Sequence, residues 1–243
     1  MGDFMINLAV IFIGTNKYLN FLPTWYQSCE EYFLPQIKKK YFIFTDGELE
    51  NPPENIVVQY QEHLPWPYIT LYRWETVLKV KEDLCKFDYV IFLDADMRVV
   101  SEIKDEDIFT NKKYIGVHHP CHFLKMEPHT KYPGAFETNP ESRASIKEED
   151  DISIYWQGCL WGGKVPYVID MIEELDLRTK DDKSRDLIAV WHDESQMNKF
   201  FIENKTEVHT LSPQFAYPEV FSEHCNFEPK IVHLAKDNSK YQK

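Results

Sequence analysis

Strand-like and helix-like segments alternate through the first hundred residues, which predicts an α/β domain with a mostly parallel central sheet and helices on both faces. Two observations carry this expectation. The apolar runs Asn7–Ile13 and Tyr89–Leu93 read as strands covered on both sides, as buried parallel strands are. The segments between them carry apolar residues near helical spacing. A chain of 243 residues is long enough for one such domain with a sizeable core. With no internal repeat or linker, residues 1–243 are expected to form a single domain.

Asn7–Ile13 is the first expected strand. Asn20 is placed to cap a helix whose apolar positions are Phe21, Leu22, Trp25, Cys29, Tyr32 and Phe33. Tyr41–Phe44 is a second strand, closed by the Asp46-Gly47 turn, and Ile56–Tyr60 a third beyond the Pro52-Pro53 loop. Leu71–Phe87 reads as one helix and Tyr89–Leu93 as a central strand. After residue 100 the pattern becomes irregular. Ile115–His118 is a further strand, and 121–151 a polar, proline-containing loop of functional or mobile character. Tyr155–Gly163 is apolar and ends in a double glycine; Pro166–Leu175 and 191–203 read as helices. The tail 237–243 is polar and expected to be loose.

Composition narrows the function. A net charge of −13 argues against a nucleic-acid partner, which would require a basic stripe. The five cysteines are scattered and form no C-x-x-C pair, which favours free thiols in a reducing compartment over a thiolate metal site. No apolar run has the length of a membrane span, and no signal-peptide pattern opens the chain. A cytoplasmic location is therefore expected.

The strongest local feature is Asp94-Ala95-Asp96 at the end of an apolar strand. Carboxylates two residues apart on an extended segment share a face, so both reach one hard cation, Mn²⁺ or Mg²⁺. The same pair would also serve to end the strand and cap a turn. Neither a G-x-G-x-x-G nor a P-loop motif occurs, so a bound nucleotide would need metal and basic side chains for its phosphates. Arg73 and Lys236 are candidates, although each taken alone reads first as a solvated surface charge. Asp193 and Glu194, in Trp191-His192-Asp193-Glu194-Ser195, fall at a helix start, where the macrodipole favours carboxylates with or without any chemistry.

Taken together, these segments resemble a known family. Val190-Trp191-His192-Asp193-Glu194-Ser195, followed by Asn198-Lys199-Phe200, is similar to the signature of the retaining glycosyltransferases that include the blood-group A and B transferases and α-1,3-galactosyltransferase. Lys17-Tyr18, Tyr41–Asp46, Arg73-Trp74-Glu75, Asp94–Met97, His119-Pro120, Tyr155–Gly163 and Leu211-Ser212-Pro213 match in the same order across nearly the whole chain.

The resemblance implies a GT-A fold of Rossmann-like character, a UDP-sugar donor, retention of configuration and Mn²⁺. About 1–100 would form the nucleotide-binding half and about 101–236 the acceptor and catalytic half. It places Tyr18 and Ile13 near the uracil, and Asp94 and Asp96 on the metal. Arg73 would reach the donor sugar or diphosphate, Asp193 the sugar hydroxyls, and Lys236 the phosphates. Gly158 and Cys159 would border the donor sugar. His119, Gln157 and Trp191 would meet a glycan or other hydroxyl acceptor. Glu194 would lie beneath the anomeric carbon as nucleophile or electrostatic stabiliser. A galactose or glucose donor and an α-1,3 linkage follow as expectations.

There are departures: Phe136-Glu137-Thr138-Asn139 lacks the family's acidic residue followed by two arginines, and Gln157 stands where an aliphatic or His is usual. Two other readings remain. A haloacid-dehalogenase-like phosphatase also places Asp-x-Asp after a strand, but Arg98 sits where that motif needs Thr or Val. A catalytically silent UDP- or glycan-binding module would not need the full Asp94, Asp96 and Glu194 set.

Overall fold

The computed structural model describes residues 6–126 and 135–237. Its strands are β1 (Leu8–Ile13), β2 (Lys39–Thr45), β3 (Ile56–Tyr60), β4 (Tyr89–Leu93), β5 (Met97–Val99), β6 (Tyr114–His118), β7 (Trp156–Lys164), β8 (Val208–Leu211), β9 (Tyr217–Pro218) and β10 (Ile231–His233). The helices are α1 (Leu22–Tyr32), α2 (Tyr68–Leu71), α3 (Arg73–Leu78), α4 (Lys81–Leu84), α5 (Asp105–Ile108), α6 (Pro120–Phe123), α7 (Tyr167–Ser184) and α8 (His192–Glu203).

Seven strands form the main sheet in the order β3-β2-β1-β4-β7-β6-β8. All neighbours run parallel except β7, which is antiparallel to β4 and β6. The expected mostly parallel α/β sheet, of GT-A type, is what forms. Side chains of β1 alternate between two cores: Leu8, Val10 and Phe12 pack with Trp25 and Cys29 of α1. Ala9, Ile11 and Ile13 pack with Trp74, Val77 and the inner faces of α7 and α8. That alternation puts helices on both faces and leaves β4 in the middle of the sheet.

Several local expectations need correction. Asn20 caps nothing: it lies in a 3₁₀ turn over Asn16–Phe21, and α1 begins at Leu22 with a proline in its first turn. The single helix expected over Leu71–Phe87 is three short ones, broken at Tyr72 and Val80. Its buried positions Leu71, Trp74, Val77, Val80 and Leu84 keep one face on the core through all three pieces. The apolar run forms β7 with the double glycine near its end, where a Cβ on Gly162 would meet the Val90 carbonyl oxygen at 2.4 Å. Asp94–Asp96 is a tight turn rather than an extended segment, closed by Met97 N–H on the Asp94 carbonyl at 3.2 Å.

The region 121–151 is more structured than its composition suggests. It opens inside α6, and residues 127–134 lie outside those described. Beyond them, the buried Glu137 accepts from the backbone N–H of Asn139 and of Val190, each at 2.7 Å. Buried Asp182 accepts from Ser142 and from Arg143 N–H, so the segment is clamped to α7 and to the start of α8. Of the expected loose tail, residues 238–243 lie outside the description.

A second sheet of three strands, β5-β10-β9, was not anticipated. It pairs the segment after Asp96 with the end of the chain, placing His233 opposite Met97. No described helix is long and apolar enough to cross a membrane.

Candidate active site

At the carboxyl ends of β1 and β4, where open α/β sheets gather ligands, two cavities adjoin. The first, about 250 Å³, is walled by Ile13, Thr15, Tyr18, His63 and Lys236. The second, about 240 Å³, is walled by Gln157, Gly158, Cys159, Trp191, Asp193 and Glu194. Trp66, Thr70, Arg73 and Asp94 belong to both and mark the junction. Of the expected site residues, Ile13, Tyr18 and Lys236 fall on the first wall, Gln157, Gly158, Cys159, Trp191, Asp193 and Glu194 on the second, and Arg73 and Asp94 on both.

Arg73 organises the junction. It is 6% exposed, with its guanidinium 4.4 Å from the Phe92 ring centroid. Its Nη1 donates to the Gly158 carbonyl at 2.7 Å and pairs with Asp193 at 3.0 Å, while Nη2 lies 3.7 Å from Asp94. Burial opposes its charge, but Asp193, Asp94 and Glu194 outweigh burial and hold it above the ordinary arginine range.

The two carboxylates of α8 reach the second cavity because of the backbone just before them. His192 has φ +50°, a left-handed conformation unfavourable for a side chain with a Cβ, of the kind that clusters at functional sites. Its ring packs edge-on against Trp66 at 5.0 Å. Glu194 is held by two donors: the Tyr155 hydroxyl on Oε1 at 2.7 Å and the Gly158 N–H on Oε2 at 2.6 Å. Burial raises its carboxyl to about 7, against the pull of those donors. Burial raises Asp193 to about 6, partly offset by Arg73, so it is ionised at neutral pH. A Cβ on Gly158 would press on Glu194 Oε2 at 3.3 Å and touch Arg73 Nη1 at 3.6 Å, so a larger residue there would push on the Glu194 carboxylate.

Asp96 is on neither wall. It is 1% exposed and sits behind the junction, with Oδ2 facing His233 Nε2 at 3.1 Å and the Lys236 ammonium. Its carbonyl accepts from Leu234 N–H at 2.9 Å, which adds one more tie between this turn and the segment that follows β10. Burial works against ionisation, yet His233 and Lys236 depress its carboxyl far below the usual range. Asp96 Oδ1 is buried without a hydrogen-bond partner among the described residues. No group of three ligating side chains capable of holding a metal occurs among the described residues. A buried, orphaned carboxylate oxygen is a donor of the kind a hard cation takes, with its other ligands from phosphate.

His119 is brought to neither cavity. It is 2% exposed, accepts from Cys121 N–H at Nδ1 at 3.1 Å, and backs the Tyr155 ring at 5.8 Å. Residues missed from sequence include Tyr155, His233, His63 and Trp66. Trp66 and His63 lie in a Pro-containing stretch without periodicity, and Tyr155 had only its place in the apolar run to mark it.

Comparison with known proteins identifies the family. The family model described as Glycosyltransferase family 6 matches residues 2–242. The O-antigen biosynthesis glycosyltransferase WbnI of Escherichia coli is 32% identical over 236 residues, covering 96% of this chain and 97% of its own length. Globoside α-1,3-N-acetylgalactosaminyltransferase 1 of Homo sapiens is 26% identical over 88% of the chain. Histo-blood group ABO system transferase 2 of Rattus norvegicus is 25% identical over 87%. The matches span 62% and 64% of those two animal proteins' length. The chain belongs to glycosyltransferase family 6, and it is a glycosyltransferase.

Proposed function

We propose that the protein transfers a hexose, galactose or glucose, from a UDP-sugar to a hydroxyl of a glycan acceptor, with retention of configuration and formation of an α-1,3 linkage. The observation that carries this reading is Glu194, a buried carboxylate fixed by two donors on the wall of a sugar-sized cavity beside Arg73 and Asp193. The nucleotide is assigned to the first cavity, where Tyr18 and Ile13 offer an aromatic and an apolar wall for a base. The diphosphate then lies at the junction, and the sugar in the second cavity. The α-1,3 linkage is supported by the human relative's name.

Glycosyl transfer breaks the bond between the anomeric carbon and the diphosphate, so negative charge grows on the leaving oxygen and positive charge on the sugar. Arg73 and Lys236 supply fixed cations toward the first. Glu194 supplies a fixed anion toward the second. Asp193 is placed to accept hydrogen bonds from sugar hydroxyls and so orient the ring. Asp94 and Asp96 would hold Mn²⁺ or Mg²⁺, which when bound supplies Lewis-acid neutralisation of the diphosphate. The test is a screen of UDP-sugars against glycan acceptors with and without Mn²⁺, read by mass spectrometry, with NMR of the new linkage. Chelation is expected to reduce turnover by orders of magnitude; full activity in excess chelator would remove the metal from the scheme. Binding of UDP-sugar without any turnover would make the protein a silent binding module.

Donor choice rests on Cys159, which is 3% exposed on the wall of the second cavity. By the resemblance, this position faces the sugar's 2-position, where glycine admits an N-acetyl group and a larger side chain fills the space. An acetamido group forced against the sulfur would cost about 1–3 kcal/mol, roughly ten- to a hundredfold in rate. Plain hexose donors are therefore expected to be preferred over N-acetylhexosamines, and Cys159→Gly to narrow the gap, in kcat/KM for four UDP-sugars. Wild-type preference for an N-acetylated donor would refute the steric argument.

A further inference from the structure

We infer that Tyr155 is a positioning residue for transfer, its hydroxyl holding the Glu194 carboxylate ionised and in one plane. The inference rests on the assignment of Glu194 above and adds a residue to which that assignment gave no role. Tyr155 is fully buried at the entry to β7. Its main-chain carbonyl accepts from His119 N–H at 2.8 Å, and its ring is boxed by Phe136 at 4.9 Å, His119 at 5.8 Å and His122 at 6.3 Å. That box fixes the ring and aims the phenol at Glu194 Oε1, 2.7 Å away. The Gly158 N–H holds Oε2 from the same strand. With both oxygens engaged, the carboxylate plane is set by β7 rather than by its own rotamer. His119 then has a place in the scheme as the support behind Tyr155.

The charged and titratable groups facing Glu194 are few. Asp193 is adjacent on α8 and opposes ionisation; Arg73 from α3 favours it. Cys159 on β7 also senses the carboxylate, and burial keeps its thiol protonated. Among these groups Tyr155 is the neutral side chain that donates directly to Glu194. A hydrogen bond to a charged acceptor is stronger than one between neutral groups, so its loss favours the protonated acid. Glu194 would then stay neutral to higher pH.

The experiment is kcat against pH from 5.5 to 9.5, at saturating donor, for wild type, Tyr155→Phe, Glu194→Gln and the double variant. Tyr155→Phe is expected to move the acidic limb up by about one to two units. It should lower kcat at pH 7 by roughly five- to fiftyfold, recover at high pH and leave the donor KM near its wild-type value. In the Glu194→Gln background it should do nothing more. Incorporating 3-fluorotyrosine at position 155, a more acidic phenol of nearly the same shape, should move the limb down; this arm decides the matter where the Phe variant folds poorly. An unmoved limb in both, with Glu194→Gln still inactive, would overturn the role of Tyr155 and leave Glu194 standing. An active Glu194→Gln would instead remove the reading underneath.

Discussion

Glu194→Gln is expected to lower kcat on the order of 10²- to 10³-fold while making the protein more resistant to heat at neutral and alkaline pH. The substitution keeps the shape of the side chain. Its amide oxygen can accept the Gly158 N–H and its nitrogen can donate to the Tyr155 oxygen, so both contacts persist while the Tyr155 O–H gives up its carboxylate acceptor. What disappears is the negative charge beneath the sugar. The stability effect follows from linkage. Burial raises the Glu194 carboxyl from 4.5 to about 7 in the folded protein, so the folded state binds the extra proton between those values. Stability therefore falls as pH rises through that window, by ~3 kcal/mol if the whole shift is realised. Gln carries no such cost. The Tm advantage of the variant should be near zero at pH 4.5 and should grow until about pH 7. Near-normal kcat would refute the role given to Glu194; a Tm difference independent of pH would refute its raised carboxyl.

The parts of the fold visible in the sequence are the unbroken apolar runs. Leu8–Ile13 and Tyr89–Leu93 are apolar throughout because both faces of each strand are covered, and both stand in the middle of the sheet. The segment 71–87 reads as one helix because its buried residues keep an amphipathic face across the breaks at Tyr72 and at 79–80. Arg73, Asp94, Asp193 and Glu194 were identifiable, from adjacency in the chain and from the family pattern. His233 was not. It sits in a strand of three residues, too short to carry any period, and its partner Asp96 lies 137 positions away. Tyr155 reads as one more aromatic in an apolar run until its hydroxyl is seen on Glu194. His119 shows the opposite failure: its motif was legible, but the burial that puts it behind Tyr155 depends on three-dimensional packing.

Asp96→Asn and Asp94→Asn are each expected to cost roughly three orders of magnitude in turnover, yet to differ sharply in what they do to the fold. Both remove an anionic ligand from the proposed cation site. Asp94 has a 29% exposed side chain, and its nearest charged partner is Arg73 at 3.7 Å, which keeps Asp193 when Asp94 is neutralised. Little stability should be lost there. Asp96 is 1% exposed and faces both His233 and Lys236. Neutralising it leaves the Lys236 ammonium facing an amide in a largely closed site, and removing one member of a buried pair costs as much as about 3–5 kcal/mol. The Lys236 side chain is 17% exposed and His233 29%, so solvent should screen part of that. Because burial is overcome and the Asp96 carboxyl is depressed, its contribution is present above the unfolded value and is lost only as pH falls toward the depressed one. At pH 7 the Tm of Asp96→Asn should therefore be lowered and that of Asp94→Asn nearly unchanged. Hydrogen exchange over 231–236 should rise in the first variant alone. Mn²⁺ binding with UDP, followed by electron paramagnetic resonance, should be lost in both. Equal thermal stability of the two variants would show that Asp96 does not anchor the end of the chain, and Mn²⁺ retained by both would remove the pair from the cation site.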